Sequence, residues 1–342
     1  MSIRLITRAL AALGLCVATL SAAASGPYSS LVVFGDSLSD SGNNALLLAP
    51  FFGGTLPPVV IANDATYTQI PSAAGTYSNG MVWTQYLAQS LGVTLTPSVA
   101  GGTNYAFGGA QTGVNGNDIP SLPGYPYSMR TQLDSYLGTT ANTADPNALY
   151  VLSGGGNNVR VALEAIAAGA NPEAIALATI TQYASDMAGL VSDLKLAGAE
   201  HVLVLNTPNF GVTPLANALG VSSLAASLSF AMDAALAEAL TGSGVMSFDM
   251  YSFVTTLVAA GPASGFSNWT NACAAAINAC DVNTSLFWDG IHPTTLTHQQ
   301  LANAVLAVAV PEPDAAVLLA AGLVVIAATG LRRRRRAGVQ QR

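Results

Sequence analysis

The sequence predicts an α/β fold in which a parallel sheet is covered by helices on both faces. Strand-length apolar runs, as expected of strands buried on both sides, occupy residues 31–34, 149–152, 202–205 and 245–248. Longer segments with helical patterns lie between and after them, at residues 81–91, 172–196, 222–240 and 294–308. Strand–helix alternation of this kind is typical of a parallel sheet with a helical layer on each side.

Particular residues mark where these helices begin and end. Asn171 followed by Pro172 is the pattern of an N-cap with proline at the first helical position. Gly198 stands where glycine commonly closes a helix, two residues beyond the end of the same segment. The last helix is expected to open at Thr294. The chain shows no internal repeat, and we predict one domain at residues 25–310.

Both ends of the chain are expected to lie outside that domain. Residues 1–24 combine two arginines, a short apolar run and a series of small residues, as in a secretory signal peptide; the run is short for a permanent anchor. Residues 315–331 carry no charge, and at about 1.5 Å per residue they would span roughly 25 Å as a transmembrane helix. The arginines at 332–336 would hold its end in the cytoplasm. A buried helix of the domain is the alternative, which leaves the arginines unexplained.

The predicted domain is strongly acidic. Between residues 25 and 311, Arg130, Arg160 and Lys195 face sixteen Asp and Glu, a net charge of −13, although the whole chain carries only −7. Nucleic-acid binding depends on neutralising phosphates, so this balance argues against nucleic acid as a partner.

Two cysteines, Cys273 and Cys280, remain once residues 1–24 are removed. In an exported protein such a close pair is expected to form a disulfide that closes a small surface loop. A metal site would need further ligands nearby, and the adjacent residues offer only Asp281 and asparagines. We therefore expect no metal site here, and the serine chemistry described below needs no metal or organic cofactor.

Two polar turns follow the first two apolar runs. Ser37 lies in Gly35-Asp36-Ser37-Leu38, and Asn157 lies in the glycine-rich segment 154–158. Ligands of open α/β sheets bind beyond the carboxyl ends of the strands. Ser37 and Asn157 are therefore expected at the same edge of the sheet.

A serine hydroxyl needs a neighbouring base to become an effective nucleophile, and histidine suits that role near neutral pH. His201 precedes an apolar run and is expected at a strand end, whereas His298 is expected to face solvent or to cap the last helix. His292 follows Asp289 by three residues, so the carboxylate can reach back to the imidazole Nδ1 and orient it. This spacing predicts that Ser37, His292 and Asp289 form a catalytic triad. An N-cap at the start of the last helix is the alternative.

Charge that develops on a substrate carbonyl oxygen needs hydrogen-bond donors. The backbone N–H of Ser37 is one candidate, and a glycine lets a second N–H approach without a Cβ in the way. Gly109, in the turn at residues 104–109, is our candidate for that glycine, and the side-chain amide of Asn157 is the third donor. Plain turn chemistry is the alternative for either glycine-rich segment alone.

These segments resemble the signature blocks of the GDSL, or SGNH, esterase/lipase family. The matching residues are 35–40 (Gly-Asp-Ser-Leu-Ser-Asp), 104–109, 155–157 (Gly-Gly-Asn) and 289–292 (Asp-Gly-Ile-His). The resemblance covers residues 31–308 and implies a flavodoxin-like three-layer α/β/α sandwich. It also implies catalytic or oxyanion roles for Ser37, Gly109, Asn157 and His292, with Asp289 as the third member of the triad.

One residue departs from the family pattern. Asn158 stands where the family usually has Asp, which places the local loop geometry in question more than the activity. The Gly-x-Ser-x-Gly elbow of ordinary α/β-hydrolases is absent from the sequence around Ser37.

The C-terminal residues 311–342 resemble a second known pattern. Pro311-Glu312-Pro313, an apolar span and an arginine cluster are similar to the PEP-CTERM sorting signal of Gram-negative bacteria. The resemblance implies transient anchoring, processing by an exosortase-type enzyme, and release or attachment at the cell surface. A permanent single-span anchor is the alternative.

Together these observations predict an exported serine ester hydrolase that acts through an acyl-enzyme. Lipids, short-chain esters and acylated polysaccharides are all candidate substrates. An acyltransferase with the same triad, or a catalytically silent protein that binds polysaccharide at the cell surface, would use the same residues.

Overall fold

A computed structural model describes residues 26–310, and the predicted signal peptide and C-terminal segment lie outside this range. The described chain contains a four-stranded sheet in the order β1-β2-β3-β4, with every neighbouring pair parallel. The strands are β1 (Leu31–Gly35), β2 (Leu149–Ser153), β3 (His201–Leu205) and β4 (Met246–Phe248). The predicted parallel α/β sheet is confirmed.

Nine α-helices accompany the sheet within residues 26–310. Those expected from the sequence form within two residues of their predicted ends: α2 (Trp83–Leu91), α5 (Pro172–Leu196), α7 (Ser222–Ala239) and α9 (Thr295–Ala309). The others were not predicted: α1 (Asn43–Leu48), α3 (Met129–Thr139), α4 (Gly156–Ala167), α6 (Pro214–Ala218) and α8 (Met250–Ala260). As expected, the Asn171 side chain caps α5 by accepting a hydrogen bond from Ala174 N, at 2.9 Å.

The sheet is the middle of three layers because strands β1 to β3 are buried on both faces. Val32 and Phe34 of β1 point into a core shared with α3, α4, α5 and α7. Leu31 and Val33 point to the opposite side, into a core built with α2 and α9. Alternation along β1 thus supplies two cores at once, which explains why the strand reads as a continuous apolar run.

One prediction about the sheet is wrong in part. We expected the fourth strand to be buried on both faces, yet Met246 and Phe248 are half-buried and Ser247 is exposed. The strand lies at the edge of the sheet, beyond β3, where one side has no neighbouring strand.

The first strand is flanked on its free side by the segment that leads to Gly109. Tyr105 N donates to Val33 O at 2.7 Å, and Phe107 N donates to Gly35 O at 3.1 Å. These bonds draw residues 103–107 alongside β1 and bring the following glycines to its carboxyl end.

Cys273 and Cys280 form a disulfide with a Cα–Cα distance of 5.5 Å.

No helix between residues 26 and 310 has both the length and the apolar character that a membrane span requires.

Candidate active site

Ser37, His292 and Asp289 form a continuous hydrogen-bonded chain at the carboxyl end of β1. Ser37 Oγ lies 3.0 Å from His292 Nε2, and His292 Nδ1 lies 2.8 Å from Asp289 Oδ2. All three side chains are buried, with exposed fractions of 7% or less. The structure therefore brings together two side chains 255 residues apart in the chain, as the sequence predicted.

The surroundings of Asp289 determine how the imidazole is oriented. Asp289 Oδ1 accepts hydrogen bonds from the backbone N–H of Ile291 and of His292, and Oδ2 also accepts one from Thr68 N at 2.9 Å. Because every neighbour of this carboxylate is a donor, His292 carries its proton on Nδ1 in the neutral form. His292 Nε2 is then the acceptor for the Ser37 hydroxyl proton.

The predicted oxyanion donors line one cleft beside Ser37, together with His292. Among residues 26–310, neither Ser37 N nor Gly109 N finds an acceptor. Asn157 Nδ2 donates one hydrogen to Ala110 O at 3.0 Å, which leaves its second hydrogen free. Gly109 has φ +87°, a left-handed conformation that favours glycine, and an added Cβ would lie 2.7 Å from Pro126 Cγ.

Arg160 holds the Asn157 side chain, a contact that the sequence analysis missed. Its Nε donates to Asn157 Oδ1 at 3.3 Å, which identifies the oxygen and leaves the amide hydrogens for Ala110 and the cleft. Arg160 is itself fixed by Glu164 at 2.7 Å and lies over the Tyr67 ring, 5.9 Å from its centre. The signal in the sequence was the i, i+3 spacing of Asn157 and Arg160 on one helix.

Asp40 joins the first motif to the glycine turn, which is a second contact that the sequence analysis did not assign. It is fully buried, and its carboxylate accepts hydrogen bonds from the backbone N–H of Gly42, Asn43, Asn44 and Gly108. Burial raises the pKa of Asp40 to about 6, although these four donors lower it. Because Gly108 directly precedes Gly109, its bond to Asp40 makes this carboxylate part of the frame of the predicted oxyanion site.

Asn158, the departure from the family pattern, connects α4 to the same turn. Its Oδ1 accepts from Thr112 N at 3.2 Å, and its Nδ2 donates to Thr112 Oγ1 at 3.0 Å. Thr112 Oγ1 in turn donates to Asp186 Oδ2 at 2.7 Å. An amide serves here because the threonine hydroxyl gives its hydrogen to Asp186 and needs a donor on its other side.

His298 contradicts the expectation of a solvent-facing or capping residue. It is only 1% exposed, because it shares one face of α9 with the buried residues Leu301, Ala302 and Val305. Neither ring nitrogen has a hydrogen-bond partner within the described chain. Burial, and to a smaller degree the nearby His292, lower the pKa of His298 to about 3.

A buried carboxyl also adjoins the nucleophile. Asp36 is 3% exposed, and its Oδ1 accepts a hydrogen bond from Leu38 N at 3.0 Å. Desolvation raises the pKa of Asp36 to about 6, while that bond and the proximity of His292 lower it.

Residues 26–310 contain no cluster of His, Cys, Asp and Glu arranged to hold a metal ion.

Comparisons with known proteins place this chain in a family. The model of the GDSL-like Lipase/Acylhydrolase family matches residues 31–305. Lipase 1 of Photorhabdus luminescens is 34% identical over 187 residues, which cover 55% of this chain but only 23% of that protein. GDSL esterase/lipase At5g63170 of Arabidopsis thaliana is 27% identical over 322 residues, covering 83% of this chain and 92% of that protein.

Among solved structures, the chain is similar to a catalytic mutant of Axe2, an acetylxylan esterase from Geobacillus stearothermophilus. It has a TM-score of 0.45 and 12% identity, and the alignment covers 82% of this chain and 94% of that chain. The family match over residues 31–305 includes every residue of the hydrogen-bonded chain and of the cleft described above. The protein belongs to the GDSL-like lipase/acylhydrolase family, a family of ester-bond hydrolases.

Proposed function

We propose that the protein is a serine ester hydrolase that acts through an acyl-enzyme. The observation that carries the proposal is the unbroken chain from Ser37 Oγ through His292 to Asp289, with both imidazole nitrogens engaged. Family membership supports the reaction class. A surface protein that only binds polysaccharide would have no use for these hydrogen-bonded side chains.

In the proposed reaction, His292 Nε2 takes the Ser37 proton as Oγ attacks the ester carbonyl carbon. The imidazolium that forms is stabilised by Asp289, and His292 then gives the proton to the departing alcohol. Water attacks the resulting acyl-serine with His292 again acting as the base, which releases the acid and restores the enzyme. Ser37 N–H, Gly109 N–H and the free Asn157 amide hydrogen stabilise the oxyanion in both halves of the reaction.

A fluorophosphonate probe tests the proposed nucleophile. We expect the purified protein to be labelled at Ser37, and Ser37→Ala to abolish both labelling and hydrolysis of nitrophenyl acetate. Ser90→Ala is the matched control, since Ser90 is exposed on α2 and outside the cleft. Labelling that persists in Ser37→Ala would assign the nucleophile to another residue.

We also propose that the protein is exported and processed at both ends. The support is in the sequence: the signal-peptide pattern at residues 1–24, and the Pro-Glu-Pro, apolar and arginine segments after residue 310. An exosortase-type enzyme would cut near Pro311 after transient anchoring in the membrane of a Gram-negative cell. A mature mass that still includes residues 332–336 would rule out this cleavage.

A further inference from the structure

Two cavities of different size meet at Ser37. Both are also lined by Asn157 and His292, so both reach the atoms proposed to react. The larger has a volume of about 410 Å³, and the smaller has about 50 Å³. An ester has two branches, the acyl chain and the alcohol, and each must occupy a space next to the nucleophile.

The smaller cavity has an apolar wall. Phe210, Met250, Val254 and Phe287 line it, and all four side chains are buried. A water-sized group needs about 10–15 Å³ of such volume, so the cavity holds roughly four of them. Because protein interiors are close-packed, a chain that reaches deeper than this cavity would have to displace these side chains. The cavity therefore matches an acyl chain of about two to four carbons.

The larger cavity presents polar side chains that a ligand can reach. Gln69, Gln111 and Asp118 line it; Gln69 and Asp118 are exposed to solvent and Gln111 is half-buried. Its volume falls within the usual range of ligand pockets, about 300–1,000 Å³. Amide and carboxylate groups around such a space suit an alcohol that carries several hydroxyl groups.

The charges in the larger cavity disfavour an anionic alcohol. Its one cation, Arg160, is engaged by Glu164 and by Asn157, and the unpaired charge is the carboxylate of Asp118. A phosphate or sulfate group would meet a negative field there. A neutral hydroxyl-rich group such as a sugar would not.

From this pair of cavities, and resting on the proposed function, we infer the substrate class: esters of a short acyl chain with a neutral polyhydroxylated alcohol of the saccharide type. The acyl chain occupies the apolar cavity beside Val254, and the alcohol occupies the polar cleft beside Gln69.

The acyl side is tested with nitrophenyl esters of increasing chain length. We expect kcat/KM to be greatest at two to four carbons and to be lower by about tenfold or more at eight, because each methylene mismatched to an apolar pocket changes the rate about 10–200-fold. An optimum at eight carbons or longer would overturn the assignment of the apolar cavity.

Matched variants on α8 locate the acyl chain. Val254→Ala enlarges the apolar cavity, so we expect the ratio of the six-carbon to the two-carbon rate to increase at least threefold. Val258→Ala removes the same groups one turn further along the helix, outside the cavity, and should leave the ratio unchanged. Equal ratios in both variants would place the acyl chain elsewhere.

The alcohol side is tested with two acetate esters of six-carbon alcohols. We expect kcat/KM for 6-O-acetylglucose to exceed that for hexyl acetate at least tenfold, and Gln69→Ala to reduce this preference by about tenfold, the equivalent of one hydrogen bond. Gln299→Ala is the control, since Gln299 is exposed on α9 away from the cleft. Equal or faster hydrolysis of hexyl acetate would overturn the saccharide assignment.

The outcomes also separate the two proposals. Labelling of Ser37 with hydrolysis of long acyl chains or simple alkyl esters would overturn the substrate class and leave the serine hydrolase intact. An absence of both labelling and hydrolysis of every ester would overturn the proposed function, and the substrate class with it.

Discussion

Two buried histidines six residues apart have opposite surroundings. His292, in the loop before α9, has Asp289 on one ring nitrogen and Ser37 on the other. His298, on the second turn of α9, is equally buried, yet no residue of the described chain contacts either nitrogen through a hydrogen bond. Burial is thus common to both, and hydrogen-bond partners distinguish the proposed base from a core residue.

The electrostatic consequence for His298 follows from desolvation. An imidazolium without an anionic neighbour is costly inside a protein, so burial lowers the pKa of His298 to about 3 and keeps it neutral. His292 instead has an adjacent carboxylate that can stabilise the positive charge formed in the proposed reaction. The same residue type is therefore suited to proton transfer in one position and to packing in the other.

The largest effect is expected from exchanging the two histidines for asparagine in turn. His292→Asn removes the proposed base, and kcat should be lower by roughly 10⁵–10⁶-fold, as when the histidine of an established catalytic triad is removed. His298→Asn should change kcat only a few-fold, because His298 touches neither Ser37 nor the cleft. Rates of nitrophenyl acetate hydrolysis and circular dichroism of both variants provide the measurement. Similar losses in two folded variants would contradict the distinction.

Asp289→Asn tests the proposed partner of His292 and leaves the His292 imidazole in place. The amide preserves the shape of the site but offers a donor where the carboxylate accepts from His292 Nδ1, so we expect the imidazole to be held in the wrong tautomer. The loss in kcat should be on the order of 10⁴-fold, with KM little changed. A variant that retains more than a tenth of wild-type kcat would show that Asp289 serves only as a structural cap for Thr68, Ile291 and His292.

Asn157→Ala extends the comparison from the base to the oxyanion donors. Removal of one such donor typically lowers kcat by about 10²–10³-fold. Arg160→Met should give a smaller loss, because Asn157 keeps its bond to Ala110 O and loses only the one that orients its oxygen. Steady-state kinetics of both variants rank the two effects. A greater loss in Arg160→Met would mean that Arg160 itself contacts the substrate.

The sheet and the pairing of His292 with Asp289 could be predicted from the sequence for the same reason: each depends on a local pattern. Continuous apolar runs identified β1 to β3, and the short Asp289–His292 spacing identified the proposed base and its partner. Helices α3 and α8 were missed, since α3 is weakly apolar and α8 buries few of its residues.

Local sequence patterns could not predict the contacts of the residues that frame the site. Asp40 binds Gly108 across 68 residues, and Asn158 binds Thr112 across 46, so only the fold reveals either contact. His298 was different, because its spacing from Leu301, Ala302 and Val305 was visible in the sequence. We interpreted His298 from its polar residue type, whereas its position on the apolar face of the helix predicts that it is buried.

The smallest expected effect concerns stability in acid, and it tests the neutral state of His298. A histidine whose pKa falls from 6.5 to about 3 on folding binds a proton in the unfolded chain but not in the folded one between these values, so stability is lost as the pH falls from 6.5 toward 3. Leucine does not titrate. In His298→Leu we expect Tm to decrease less between pH 7 and pH 4 than in the wild type, by on the order of 5 °C.

Two features make that comparison specific. Asp36 and Asp40, whose raised pKa values favour the folded state in acid, are present in both proteins, so their contribution cancels in the difference. His201→Leu at the start of β3 shows whether loss of any imidazole gives the same result. If His298→Leu and the wild type lose Tm in parallel as the pH falls, then His298 takes up a proton in the folded protein near its ordinary pKa, and the contrast with His292 is not one of charge.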